Sequence, residues 1–142
     1  LMNLPNIRDI QCGENHTFIL TDEKLLVFGD NEYGQLGTEN YENKLVPSES
    51  NIENAKNIKS ILCGGSDSMI LMNNGDLFVC GNNKSGQLGL GHINNVNNWT
   101  KLMSDPHIEF VSLGFDHSFI KKQNGQISLK EGQRIIPIPS IK

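Results

Sequence analysis

Long apolar runs, a surplus of positive charge and a dense set of cysteines are all missing from this sequence, and each absence removes a class of protein. No stretch approaches the roughly 18 consecutive apolar residues of a membrane-spanning helix, and Leu1-Met2-Asn3-Leu4-Pro5 has neither the basic start nor the apolar run of a targeting segment. Twelve Lys plus Arg against sixteen Asp plus Glu give a formal charge of -4. That leaves no electrostatic surplus to hold a polyanion, so direct nucleic-acid binding is not expected. The three cysteines, Cys12, Cys63 and Cys80, are odd in number and too sparse to staple 142 residues. They read as reduced thiols of a cytoplasmic or nuclear protein. Aromatic residues are only 6% of the chain, and the 3.6-residue period of an amphipathic helix is absent over any useful length.

What the sequence has instead is turn chemistry and a repeat. Fourteen Gly and the pairs Asn73-Asn74, Asn82-Asn83, Asn94-Asn95 and Asn97-Asn98 favour many turns over long helices. Residues 10–37, IQCGENHTFILTDEKLLVFGDNEYGQLG, align with residues 61–89, ILCGGSDSMILMNNGDLFVCGNNKSGQLG, with one inserted residue near Gly75. A third copy starts at Val111 as VSLGFDHSFIKKQNGQISLKEG and then loses the GQLG ending. LMNLPNIRDI at Leu1 to Ile10 matches LMSDPHIEFV at Leu102 to Val111, so the chain reads as starting within a repeat. The expected division is 1–9 as the end of a preceding repeat, 10–60 and 61–110 as two whole repeats, and 111–142 as a partial third.

Within a unit, Ile58 to Cys63, Ser68 to Met72 and Leu77 to Cys80 are short apolar runs bounded by Gly and Asn, which predicts strands. Asn74-Gly75 predicts a two-residue hairpin turn of the primed types. A fourth, weaker strand is expected at Lys44 to Pro47, at Thr100 to Met103 and at Arg134 to Ile138. Four short antiparallel strands in about 50 residues are the size of one β-propeller blade.

Several chemical motifs fail on inspection. Gly29 and Gly34 have the spacing of a phosphate-binding loop, but Gln35-Leu36 and Gln87-Leu88 stand where Lys and Ser or Thr are needed. Cys12 with His16 offers a metal or nucleophile pair, yet the equivalent positions are Cys63 with Asp67 and Leu113 with His117. No metal or cofactor is expected, and no catalytic residue is assigned. Asp22-Glu23 and Glu14 fall in turns as solvated carboxylates, and His92 and His107 in loops. The triplets at Asn15, Asn83 and Asn98 match the glycosylation acceptor, a match that so Asn-rich a chain produces by chance.

The nonamers Gly29-Asp30-Asn31-Glu32-Tyr33-Gly34-Gln35-Leu36-Gly37 and Gly81-Asn82-Asn83-Lys84-Ser85-Gly86-Gln87-Leu88-Gly89 resemble the signature of the regulator of chromosome condensation repeat family. Cys12-Gly13-Glu14-Asn15-His16-Thr17 and Gly114-Phe115-Asp116-His117-Ser118 look like that family's second hallmark. The resemblance implies all-β architecture, a nominally seven-bladed propeller of which this chain supplies about three blades. Three blades cannot close a ring, so further blades, or self-assembly of several copies, are expected to complete it; a cap over Gln133 to Lys142 is the other option. The glycines suit sharp loops packed on a neighbouring blade, Leu36 and Leu88 would plug the seams, and His16 and His117 would bond where blades meet.

Function tends to lie in loops held by a rigid scaffold. Glu32, Tyr33 and Lys84 are variable positions within the nonamers and would share one face. The stretch Gly91 to Trp99, longer than its counterpart, adds Asn95 and Trp99 as contact candidates. Trp99 is open to two readings, an interface anchor or a side chain packed on its own blade. The resemblance implies a non-catalytic protein-interaction scaffold, or alternatively a guanine-nucleotide exchange factor for a small GTPase of the Ran type. The net negative charge, and the lack of a basic tail or an extra wedge hairpin, favour the scaffold. A single Trp excludes the light sensing of plant ultraviolet photoreceptors with the same fold, which needs clustered Trp.

Overall fold

A computed structural model describes residues 6–115, 117–131 and 134–138. It is nearly all β, with three four-stranded antiparallel sheets in succession. The first contains β1 (Ile7–Cys12), β2 (His16–Thr21), β3 (Leu25–Gly29) and β4 (Lys44–Glu49). The second contains β5 (Ile58–Cys63), β6 (Asp67–Met72), β7 (Asp76–Gly81) and β8 (Val96–Ser104). The third contains β9 (Ile108–Leu113), β10 (His117–Lys122), β11 (Ile127–Glu131) and β12 (Arg134–Ile138). Each sheet is a meander whose strands pair in sequence order, as in a propeller blade. The sheets begin at Ile7, Ile58 and Ile108, three residues ahead of the repeat starts read at 10, 61 and 111. The segment considered as a cap holds β12, while Gln133 and residues 139–142 lie outside the described residues, as do residues 1–5.

Two turns differ from expectation. In the β6–β7 hairpin the Gly75 amide donates to the Met72 carbonyl over 3.0 Å, so Asn73-Asn74 occupy the central turn positions. Gly75, at φ 91, is the bulge residue that follows. In the first blade the Thr21 amide reaches the Lys24 carbonyl directly, so the residue inserted near Gly75 is the extra one of a bulged hairpin. The β7–β8 loop is also no longer than its counterpart, because Gly29 pairs with Lys44 and Gly81 with Val96 at the same separation. The additional length lies in β8 itself, which places Trp99 inside a strand rather than at its start.

The core is two seams between blades. Phe18, Leu20, Leu25, Val27 and Leu36 of the first blade meet Ile58, Ile61, Ile70 and Trp99 of the next. Met69, Leu71, Leu77, Val79 and Leu88 then meet Ile108, Val111 and Ile120 of the third. β6 lies between the two seams, and every one of its residues is buried, which explains its unbroken apolar run where β2 alternates.

Trp99 carries the first seam. It is 9% exposed, its indole Nε1 donates to Ser50 Oγ over 2.8 Å, and its ring centroid lies 5.9 Å from that of Phe18. Gly37 sits directly beneath the indole, where any Cβ would collide with it. Trp99 therefore packs on the adjacent blade, with only a small part of its ring left exposed.

His16 locks the same seam. It is 2% exposed, its Nε2 lies 2.9 Å from Ser68 Oγ, and that hydroxyl donates to the Gln35 carbonyl over 2.8 Å. A hydroxyl has one proton, so with Ser68 donating to Gln35 the imidazole must donate through Nε2. Burial lowers the His16 pKa to about 4, outweighing the opposing pull of Asp30. The folded seam thus favours neutral imidazole.

Trp99→Ala should cost about 3 kcal/mol or more by emptying the seam, whereas Tyr33→Ala on the surface should stay within about 0.5 kcal/mol. Urea unfolding of both variants checks this, and equal losses would refute the seam assignment. Because His16 protonates more readily once unfolded, its contribution is complete above about pH 6.5 and declines as pH falls toward 4. The stability lost between pH 7.5 and 5 is on the order of 2 kcal/mol, and His16→Gln should flatten that part of the profile. An unaltered profile in the variant would assign the titration to another group.

Candidate functional site

The two signature loops share one internal skeleton. Asn31 is fully buried; its amide nitrogen donates to the carbonyls of Asn40 (2.9 Å) and Glu42 (3.0 Å), and its Oδ1 accepts from the Leu36 amide (3.0 Å). Asn83 does the same in the second blade, donating to the carbonyls of His92 (2.9 Å) and Asn94 (3.0 Å) and accepting from Leu88 (3.0 Å). Gln35 Oε1 accepts from the Tyr33 amide and Gln87 Oε1 from the Ser85 amide, each at 3.0 Å. Buried amides with both ends satisfied fix a loop far more tightly than solvent-facing ones. Gly29 and Gly81 start the loops at φ 109 and 112, Gly34 and Gly86 turn them at φ 84 and 72, and Gly37 and Gly89 close them at φ 64 and 72. Gly34 also lies against the backbone of Asn97, leaving no room for a side chain there.

This skeleton brings together two of the residues proposed as contacts, Tyr33 and Lys84, with Glu32 next to Tyr33 in the chain. Glu32 and Lys84 are exposed and Tyr33 is half-buried, with the Lys84 Nζ over the Tyr33 ring, 4.8 Å from its centroid. Adjacent blades thus bring an aromatic and a basic variable position into contact. Asn95 is half-buried, and its Oδ1 accepts from the Asn83 backbone amide over 2.9 Å, just as Asn43 Oδ1 serves Asn31 over 2.8 Å. It belongs to the loop skeleton. Trp99 is largely buried in the seam described above. His117, expected where blades meet, is exposed on the open side of the third blade, edge-on to Phe119 at 5.8 Å. Sequence reasoning passed over Asn31 and Asn83, although they hold the same third place in both nonamers.

The remaining chemistry is structural. Burial pushes the Cys63 and Cys80 thiols well above their usual range, so neither is a thiolate nucleophile at neutral pH. Asp105 is lowered to about 2, first by its hydrogen bond with Lys122, whose Nζ lies 2.7 Å away. That pair is a half-buried surface contact, and His107 Nδ1 lies 3.1 Å from the same carboxylate, on the exposed β8–β9 turn. Among the described residues no group of three His, Cys, Asp or Glu side chains is placed to hold a metal. No helix among them is long and apolar enough to cross a membrane.

Comparison with known proteins agrees with this geometry. The family model for the regulator of chromosome condensation (RCC1) repeat matches residues 22–71 and 74–120, and a second model of that repeat matches 7–35 and 58–87. The mouse secretion-regulating guanine nucleotide exchange factor is 41% identical over 106 residues, covering 72% of this chain and 23% of the mouse protein. The human RCC1-like G exchanging factor-like protein is 32% identical over 104 residues, covering 70% of this chain and 22% of that protein. The chain therefore spans about a quarter of the length of these relatives. Among solved structures, Prp20p from Saccharomyces cerevisiae superposes with TM-score 0.83 at 27% identity, over 96% of this chain and 39% of that one. Human WBSCR16 shares the fold at TM-score 0.79 and 22% identity, over 96% of this chain and 42% of that one. Three meander blades, two buried-asparagine loops and these matches together place the chain in the RCC1 repeat family, as a segment of a β-propeller.

Proposed function

We propose that this chain is part of a non-catalytic scaffold that docks a protein partner on the face that carries Glu32, Tyr33 and Lys84. The contact between Lys84 and the Tyr33 ring carries the reading, because it joins variable positions of two otherwise equivalent loops. A tyrosine held rigid by its own loop loses little entropy on binding, which is the property of an interface anchor. The surface mixes both charges, which suits a protein more than a polyanion.

Guanine-nucleotide exchange on a small GTPase is the second reading. It is favoured by the name of the 41% identical mouse relative and by the binding of Prp20p to Gsp1p. Exchange needs no catalytic acid or base, only a surface that stabilises the nucleotide-free GTPase. A cytoplasmic or nuclear site of action belongs to both readings, although one Arabidopsis relative, 40% identical over 85 residues, is named mitochondrial.

Release of a fluorescent guanine nucleotide from a panel of small GTPases separates the two. The scaffold reading expects release at the intrinsic rate, and strong acceleration would replace it with exchange. In either case Tyr33→Ala should weaken partner binding by about 1–2 kcal/mol with no change in melting temperature. Asn83→Ala should lower both, costing about 1–3 kcal/mol of stability, because it orphans the Leu88 amide and the carbonyls of His92 and Asn94. Undiminished binding by the Tyr33 variant in calorimetry would move the partner to another face.

A further inference from the structure

At the opposite end of the blades from the signature loops, a cleft of about 770 Å³ opens between the first-to-second blade linker and the β6–β7 turn. That volume lies within the range of ligand-binding clefts. Its floor is apolar, formed by Ile52, Met72, Phe78 and Trp99. Its rim carries the exposed side chains of Asn51, Asn54, Asn57 and Asn73. None of these four primary amides makes a hydrogen bond to another described residue. The contrast with Asn31 and Asn83, whose amides are saturated internally, marks these four as free to bond outward.

We infer that this cleft binds an extended peptide segment of a partner, one with an aliphatic side chain next to a basic one. A side-chain amide offers one donor end and one acceptor end, the same pair that each residue of an extended backbone presents. Four such amides around an apolar floor therefore suit a strand-like segment that buries one aliphatic side chain. Glu53 at the rim has no ion-pair partner among the described residues, whereas Lys101 is paired with Asp76 at 3.1 Å. The uncompensated charge at the mouth is negative, which selects a basic neighbour and repels an acidic segment. The aromatic rings are not available as stacking platforms for a sugar. Trp99 is 9% exposed with its Nε1 committed to Ser50, and the Lys101 Nζ lies over Phe78 at 5.8 Å from the ring centroid.

The test is selection of a random nine-residue peptide display library on the full chain, followed by fluorescence anisotropy with a synthetic copy of the enriched peptide. The enriched sequences should pair Leu, Ile or Met with Lys or Arg. Affinity should fall at least tenfold in Glu53→Lys and in the double variant Asn57→Ala with Asn73→Ala, both with unchanged melting temperature, and should be unaffected by Lys84→Glu. Absence of enrichment, a peptide indifferent to the rim variants, or a peptide lost only with Lys84→Glu would overturn the inference. So would binding of oligosaccharides on a glycan array that the same rim variants abolish.

Discussion

The hydrogen bonds from His16 to the Ser68 hydroxyl and from that hydroxyl to the Gln35 carbonyl join β2 of one blade, β6 of the next and the loop that leaves β3. A four-stranded meander cannot form a core alone, since its two faces need cover from its neighbours. Apolar burial between sheets is non-directional and would tolerate sliding. The buried bonds do not, because any displacement strands a donor away from water. They set the register of the blades, and Trp99 fills the seam at that register, bonded to Ser50 and resting on Gly37.

The same positions are used differently in the second seam, where Asp67 stands in place of His16 and Ser118 in place of Ser68. The Ser118 hydroxyl is buried there without a hydrogen-bond partner among the described residues. The apolar half of the seam is thus common to both repeats, while its polar positions carry different side chains. Met69, Leu71 and Ile120 pack together across this seam. Apolar burial is non-directional and holds the blades together, whereas the hydrogen bonds add direction to the contact.

Strands and repeats were legible in the sequence because their signals are local: apolar runs of five or six residues, punctuated by Gly and Asn. Trp99 was not, since its contacts with Ser50 and Gly37 join residues about 50 to 60 positions apart on different blades. A spacing argument along one strand has no view of them. Asn31 and Asn83 were hidden by composition, because in an Asn-rich chain each looks like another turn residue. Burial alone separates them from Asn73, which has the same chemistry and faces solvent. The Asn74-Gly75 turn was misread for a smaller reason. The glycine was needed as a bulge, not as a turn centre, so its positive φ appears one place later in the hairpin.

The third blade repeats one part of the first seam. His117 and Phe119 sit edge-on at 5.8 Å and 86°, nearly the geometry of His16 and Phe18 at 5.7 Å and 83°. Phe18 is fully buried beside Trp99, while Phe119 is 38% exposed, with no further sheet against it among the described residues. The pairing therefore does not come from the covering blade. It follows from two residues spaced i, i+2 on one strand, whose side chains point to the same face. A blade approaching such a face meets a preformed aromatic corner and has little rotamer freedom left to freeze. The specificity of a seam then rests with the incoming side, in whether it brings a hydroxyl for the imidazole and a side chain large enough to lie on the phenyl ring.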